Sequence, residues 1–364
     1  MRILHFYIKN DERACQYIDR LAGSMLDGTE IKSCDSLKAF RKAIESWKPQ
    51  IVHLHGAWRL SIAKAAKIGM KSGARVVITP HGQLEPWVIK QRHWTEKLPK
   101  LLLYQRRCLR KAYCIIAMGR MEAGYMERLG YNTRIETILN SLITETISDG
   151  QMGRQMFLAY KKVLDTDTME LMLPQTKTAL RGFIKAGITG DSRWLDSEEQ
   201  QACNAVSDEE WHKIAVFSCD EHINDTIAKG IECIGFTPPE ALPQSVDNYH
   251  MPAANHAKAV ATGGHESPDD ALLSAIKASK RQIKEQGFGI CHLIRMAELL
   301  THSIIDEEKV AGELKECGLE QHTSRIMHLL SDMTGLDEGF MILPEKDDRT
   351  TRRIKKIITK HVNI

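Results

Sequence analysis

Val52-His-Leu-His-Gly-Ala-Trp58 and Ile78-Thr-Pro-His-Gly-Gln-Leu-Glu-Pro-Trp87 share one plan: an apolar run ends in histidine and glycine, and tryptophan closes the exit loop. Each apolar run is short and continuous, as a strand covered on both faces requires. Further runs of this kind lie at 2–8, 113–118 and 133–139, and those carrying the two motifs span 50–54 and 75–79. Between them the apolar residues return every three or four positions, which predicts helices over 12–25, 36–47, 60–71, 96–111 and 120–129. Pro49 and Gly73 mark where two helices give way to strands, because proline cannot continue a helix and glycine accepts the left-handed cap. Alternating strands and helices give an α/β fold, a Rossmann-like parallel sheet joined by right-handed crossovers. Such sheets bind ligands at the carboxyl ends of their strands, where both motifs sit.

After about Ser148 the pattern changes to long charged runs of helical period with few β-branched clusters. Ser207-Asp-Glu-Glu210 reads as a capping box, followed by Val216, Cys219, Ile223, Ile227 and Ile231 on one helical face. Ser267-Pro268 reads as a second helix start. Ile290, Leu293, Ile294, Ala297, Leu300 and Ile304 form another stripe, and Ile326, Leu329, Leu330 and Met333 a further one. Residues 236–264 hold four prolines without a period and read as a loop. The expected organisation is a Rossmann-like domain over 1–148, a mostly helical domain over 149–345 and a basic amphipathic tail over 346–364.

The 364 residues suffice for two cores. With 50 basic and 47 acidic residues the net charge is only +3, so no overall field points to nucleic acid. Nine cysteines form an odd set without a Cys-x-x-Cys pair, which fits a reducing cytoplasm better than a disulfide framework or thiolate zinc. Residues 1–8 are too short for a signal peptide and no 18 apolar residues run together, so the expectation is a cytoplasmic chain, at most lying on a membrane.

Two neighbouring strands thus deliver His53, His55 and His81, with Gly56 and Gly82, to one edge. Glycine lets the main chain approach a ligand, neutral imidazole donates or accepts a hydrogen bond, and a helix N-terminus adds positive potential. A sugar or phosphate ligand suits that set. The same histidines would also serve as loop caps or pack against Trp58 and Trp87.

The segment His81-Gly-Gln-Leu-Glu-Pro-Trp87, then Lys90, Trp94, Lys97, Tyr104-Gln-Arg-Arg107 and Ala112, resembles the family 4 glycosyltransferases of bacterial capsule and O-antigen clusters. Val52-His-Leu-His-Gly56 before it, and Glu122 with Leu129-Gly130 after it, fall in the matching order, so the resemblance covers about 1–148. It implies a GT-B glycosyltransferase, with one Rossmann-like domain for the acceptor, a second for a nucleotide-sugar donor, retention of configuration, and neither cofactor nor metal. It also implies catalytic His81 near the transferred sugar and a binding surface of His55, Gly56, Gly82, Glu85 and Arg120. The implied partners are a nucleotide sugar and a glycan or lipid-linked acceptor.

Several positions depart from the family's pattern. Lys9-Asn-Asp-Glu12 stands where a Gly-Gly turn belongs, Met118-Gly-Arg-Met121 where a Ser/Thr-rich turn belongs, and Asn140-Ser141 where Asn-Gly belongs. The second half shows neither the Arg and Lys pair that holds a donor diphosphate nor the two glutamates that hold donor sugar and ribose. Arg181, Lys185 and Arg193 are the basic residues there that folding would have to gather. Two readings stay open: a transferase with an unrecognised donor site, or a non-catalytic acceptor-binding, partner or regulatory subunit that lacks the donor domain; any transfer is expected to need a second polypeptide.

Ten of the fifteen histidines lie from His212 onward, and Cys219-Asp-Glu-His222 has a helical ligand spacing. Without three or four converging groups these read as helix histidines, His250, His256 and His265-Glu266 among them. The segment 349–361, from Arg349 to His361, surrounds Ile354, Ile357, Ile358 and neighbouring Val362 with Arg352, Arg353, Lys355, Lys356 and Lys360. It reads either as a peripheral membrane contact or as a terminal helix docked by its isoleucines.

Overall fold

The apolar runs become a wholly parallel six-stranded sheet in the computed structural model, which describes residues 1–250, 267–285 and 287–360. The strands are β1 (Arg2–Phe6), β2 (Glu30–Cys34), β3 (Ile51–His55), β4 (Arg75–Thr79), β5 (Cys114–Ala117) and β6 (Ile135–Thr137), in spatial order β2-β1-β3-β4-β5-β6. The chain first moves outward from β1 to β2 and then crosses back to β3, so the strand order switches between β1 and β3. In open parallel sheets that crevice is where ligands bind. Strand β2 escaped the sequence pattern because Glu30-Ile-Lys-Ser-Cys34 is a half-exposed edge with little apolar content.

The helices of this unit are α1 (Glu12–Ser24), α2 (Leu37–Trp47), α3 (Leu60–Lys71), α4 (Pro86–Lys90), α5 (Leu98–Lys100), α6 (Arg106–Lys111), α7 (Arg120–Leu129) and α8 (Asp149–Leu164). The helix expected over 96–111 forms with a wider turn at Leu101–Gln105 between α5 and α6. Strand parity divides the two faces. Leu4, Phe6, Val52, Leu54, Val76 and Ile78 share one apolar core with Phe40 and Ile44 of α2 and Ile62, Ala65 and Ala66 of α3. The opposite face carries His5, His53, His55 and Thr79, which lie against the wholly buried Tyr17 of α1 and Tyr160 of α8.

Helix α8 belongs to this first unit, Met1–Leu164, which therefore runs past the boundary expected near 148. It is seated on α1 through Gly153, where an added Cβ would stand 2.3 Å from the Ser24 carbonyl oxygen. Arg20 pairs with Asp149 at 3.1 Å and Lys162 with Glu136 at 3.1 Å.

The second unit, Asp165–Ile364, is mostly helical and has no strand among its described residues. It comprises α9 (Pro174–Thr189), α10 (Ser197–Asn204), α11 (Asp208–Asp220), α12 (Asn224–Ile234), α13 (Pro268–Glu285), α14 (Ile290–His302), α15 (Glu307–Glu316), α16 (Glu320–Thr334) and α17 (Arg349–Lys360), with short single turns between some of them. Glycines let α9 and α12 meet at backbone distance: a Cβ on Gly187 would stand 2.0 Å from the Thr226 carbonyl oxygen, and one on Gly230 2.0 Å from that of Phe183.

Several local expectations change here. The stripe from Val216 to Ile231 is split between α11 and α12, because the chain turns at His222 with φ of 57°. Ser207 caps α11 by accepting from the Glu210 amide, but Glu210 does not return the bond. Its carboxylate instead takes the Thr176 hydroxyl, the Leu173 amide and Lys213. Ser267 caps α13 as expected, and Ile304 lies beyond the end of α14 and is exposed. In α17, Ile354, Ile357 and Ile358 are buried, so the stripe docks the helix onto its own unit. Val362, His361, His256, His265 and Glu266 lie outside the described residues.

The two glycines of α8 make a direct test of this packing. Gly153→Ala should destabilise the chain by about 1–3 kcal/mol, because the helix must move off Ser24. Gly150→Ala, with nothing within 4 Å, should stabilise it by about 0.5–1 kcal/mol through helix propensity. Paired chemical denaturation curves check both signs.

Candidate functional site

Register places His5 opposite His53, and alternation puts His55 on the same face two residues on. His55 meets Thr79 across β3 and β4, and His81 follows at the exit of β4. His5 Nδ1 lies 2.8 Å from His55 Nε2, and His55 Nδ1 lies 2.9 Å from His81 Nε2. His81 Nδ1 ends the row 3.1 Å from Met118 Sδ. His53 stands beside it, 2.5 Å from the Tyr160 hydroxyl and 2.7 Å from that of Thr79.

Burial decides the charge of these rings. It pushes His5 down to about 3 and His81 to about 4, and holds His53 and His55 well below the ordinary imidazole range, where neighbouring imidazoles add to the effect. Each ring is therefore neutral, with one N–H and one lone pair. A thioether can only accept, so His81 carries its proton on Nδ1 and accepts on Nε2. His55 must then donate from Nδ1 and accept on Nε2, and His5 must donate from Nδ1. The row has a single direction, and it ends at His5 Nε2, which has no hydrogen-bond partner among the described residues.

The loops around the row are clamped to each other. The Gln83 side chain accepts from the Ala57 amide at 2.7 Å, and the Trp58 indole donates to the Gln83 carbonyl at 2.6 Å. Gln105 accepts from the Trp58 amide, and Tyr104 donates to the Trp58 carbonyl. These bonds hold two non-glycine residues in the left-handed region, Trp58 at φ 60° and His81 at φ 53°, a conformation that persists only where surroundings over-determine it. The buried Glu122 carboxylate joins the next pair of loops, accepting from the Gly82 amide at 2.8 Å and the Met118 amide at 2.9 Å.

A cavity of about 440 Å³ opens over the switch point between β1 and β3. Residues 8–13 after β1, His55, Gly56, Ala57 and Arg59 after β3, and Gln83 line it. Gly56, at φ of 100°, needs to be glycine to bring the main chain there. Asn10 takes the left-handed turn at φ 68°, a conformation that asparagine tolerates. Asp11 caps α1 through the Ala14 amide at 3.1 Å. The wall mixes Lys9, Arg13 and Arg59 with Asp11 and Glu12, a set of donors and acceptors that suits hydroxyl groups better than a polyanion.

The residues singled out in the sequence thus fall into separate places. Gly56 lines the cavity, and His55 borders it with a fully buried side chain. His81 lies behind it in the row, and Gly82 is held by Glu122 with the Glu85 carboxyl group 3.8 Å from where its Cβ would stand. Arg120 is exposed at the start of α7 without an ion pair among the described residues. Sequence reading missed His5, Tyr17, Tyr160, Gln83 and the residues after β1. The parity of His53 and His55 carried part of that signal.

His5, His53 and His55 place ligand atoms within 4.8 Å of one another, a metal-site spacing. Both nitrogens of His53 and His55 are already hydrogen-bonded, and the set includes no carboxylate to offset a buried dication. The hydrogen-bonded row accounts for these rings as they stand.

The second unit treats histidine oppositely. His250 Nε2 lies 2.8 Å from Asp167 and its Nδ1 bonds Asp220, while His212 bridges Asp165 at 3.0 Å and Glu240 at 2.7 Å. Burial pulls His250 down, but the two carboxylates outweigh it and lift the imidazole to about 9. His212 is raised too, chiefly by Asp165. Arg181 and Lys185 converge on Glu199, Lys185 also pairs with Asp337, and Arg193 pairs with Asp191, so each of these three cations is already neutralised by a carboxylate.

Comparison with known proteins meets this geometry at the first unit. Residues 16–146 match the family model Glycosyltransferase Family 4. The match spans the loops after β3, β4 and β5 and gives the first unit a glycosyltransferase-like character. No curated protein and no solved structure matches the chain significantly.

Two predictions follow from the site's chemistry. Glu122→Ala leaves the Gly82 and Met118 amides without their acceptor, at about 1–3 kcal/mol each, and Glu122→Gln should lose less; denaturant midpoints check this. The pH response should be opposite in the two units. Histidines with depressed values stabilise the folded state above the unfolded value of 6.5 and lose that stability as pH falls toward 4 and 3, by up to about 1.4 kcal/mol per pH unit for each proton. His250 stabilises fully below 6.5 and loses this as pH rises through about 9. Hydrogen exchange of the full chain, corrected for intrinsic rates, should show strands β1, β3 and β4 loosening first in acid and residues 165–167 and α11 loosening first in alkali.

Proposed function

We propose that the chain transfers a hexose-type sugar from a nucleotide sugar to a glycan or lipid-linked acceptor, in the assembly of a bacterial surface polysaccharide such as capsule or lipopolysaccharide. The supporting observation is the mixed-sign cavity at the switch point of a unit that matches the Glycosyltransferase Family 4 model, backed by an oriented row of neutral histidines. In this reading the cavity takes acceptor hydroxyls, with His55, Gly56, Arg59 and Gln83 around them, and Gly82, Glu85 and Arg120 stand on the adjoining loops.

His81 is the proposed catalytic histidine. Its Nδ1–H faces only a thioether, a weak acceptor that a sugar hydroxyl or phosphate oxygen outcompetes. Displacing Met118 Sδ gives His81 a direct bond to the reacting sugar while His55 keeps its tautomer. The imidazole stays neutral, so it orients and polarises rather than supplying a full charge.

A second reading is favoured by the end of the family match at residue 146 and by the paired state of Arg181, Lys185 and Arg193: transfer needs a second polypeptide that stabilises the leaving diphosphate. Peripheral membrane contact through segment 349–361 would rest on its basic side chains, because Ile354, Ile357 and Ile358 of α17 are buried.

Transfer should be measured with the purified chain, labelled nucleotide sugars and a lipid-linked acceptor extract, with and without neighbouring pathway proteins. His81→Ala should lower the rate at least about a hundredfold, in the range of a lost transition-state hydrogen bond, and His81→Asn, which restores a donor near the Nδ1 position, should recover part of it. Met118→Leu should keep activity. Full turnover by His81→Ala would remove His81 from the chemistry, and turnover only with a partner would select the second reading.

A further inference from the structure

The helical unit contains a larger cavity, of about 750 Å³, walled by α13, α16 and α17 with the end of α15 at its rim. Five cations reach its lining from these four helices: Lys280 and Lys284 of α13, Lys315 of α15, Arg325 of α16 and Arg353 of α17. One carboxylate, Glu320, stands among them. Lys280, Lys284, Lys315 and Arg353 have no ion pair among the described residues. This contrasts with Arg181, Lys185 and Arg193 of the same unit, each of which has a carboxylate partner. Cations held together around one concavity repel each other, and they focus a positive potential into it.

Two further features point the same way. Arg325 is held in place, its Nε and Nη2 donating to Asp348 at 2.9 and 2.8 Å, which keeps its guanidinium ordered at the wall. Helix α16 starts at the cavity without a side-chain cap, so its first-turn amides, at Glu320 and Gln321, lack in-helix partners and add the positive end of a fifteen-residue helix. Between α13 and α16, His322 donates from Nε2 to the Ser279 hydroxyl, which itself donates to the Ile276 carbonyl. Burial and the charges of Lys280 and Arg325 push this imidazole down to about 4, a sign of the positive field already present.

We propose that this cavity is a binding site for a diphosphate-bearing ligand. Cations on four helices exceed what one phosphate meets, and Lys280 and Lys284, one turn apart, present a spaced pair of charges. No Phe, Tyr or Trp lines the cavity among the described residues, so affinity comes from phosphate oxygens and not from base stacking. Ile283, Ile354 and Ile357 supply its apolar portion. The diphosphate has two sources, a nucleoside diphosphate or the head of a prenyl lipid. Its identification with the sugar donor rests on the transfer reading above, but diphosphate binding itself does not.

Calorimetric titration of the full chain with inorganic pyrophosphate, orthophosphate, a nucleoside diphosphate and farnesyl diphosphate tests the site. Pyrophosphate should bind at least about tenfold more tightly than orthophosphate, and Lys284→Glu and Arg353→Glu, both at exposed positions, should each weaken it by about tenfold or more. Lys280→Arg should retain binding, and His81→Ala should leave it unchanged. Tighter binding of the nucleoside diphosphate selects the donor, and tighter binding of farnesyl diphosphate selects the lipid; both support the site. Absence of diphosphate binding at ~1 mM, equal affinity for orthophosphate, or a Kd unmoved by the charge reversals overturns it. Pyrophosphate binding by a chain that shows no transfer would leave this site standing while the transfer reading fails, and transfer without pyrophosphate binding would do the reverse.

Discussion

Buried imidazoles without a counter-charge must be neutral, and a neutral imidazole has one donor and one acceptor. That constraint organises the first unit. His5, His55 and His81 are linked ring to ring, and the thioether of Met118 at one end sets the direction of every bond in the row. The row ties β1, β3 and β4 together at the level of their exit loops. A parallel sheet with two apolar faces would hold the same strands, but it would not orient an N–H at the edge where ligands enter.

The exit loops are made as rigid as the strands. Gln83, Gln105 and Glu122 use side-chain acceptors to take up amides that loops of this shape leave without strand partners. The left-handed backbone at Trp58 and His81 is the visible consequence. Such conformations are disfavoured for bulky residues, and here they keep the two motif loops turned toward each other. A site built this way is preorganised: its polar groups need little rearrangement when a hydroxyl replaces a weak partner.

The two units solve their electrostatics differently, and this bears on what each can bind. The first has a cavity with both signs of charge and a row of uncharged donors behind it, which suits a polyhydroxyl ligand. The second surrounds His212 and His250 with carboxylates and neutralises Arg181, Lys185 and Arg193, yet Lys280, Lys284, Lys315 and Arg353 around a single cavity have no ion pair among the described residues. Leaving several like charges together is unfavourable unless an anion joins them. The proposed acceptor cavity and the proposed diphosphate site differ in charge in this way.

Period and strand parity are local properties of the chain, and they already specify the parallel sheet, the mostly helical second unit and the edge where His55, Gly56, His81 and Gly82 arrive. The sequence did not show β2, whose edge position removes the need for apolar residues, nor the break at His222, which depends on one left-handed residue. It also left α8 outside the first unit, since Gly153 acquires meaning only against the Ser24 carbonyl. The tertiary structure alone decided the state of the charged and polar groups. Whether an imidazole is a neutral relay or a carboxylate-bound cation, and whether a lysine is paired or free to meet a ligand, depends on neighbours tens of residues away: His5 and His55, Asp167 and His250, Lys284 and Arg353. Burial and Coulomb interactions act through space, so they leave no period in the sequence to read.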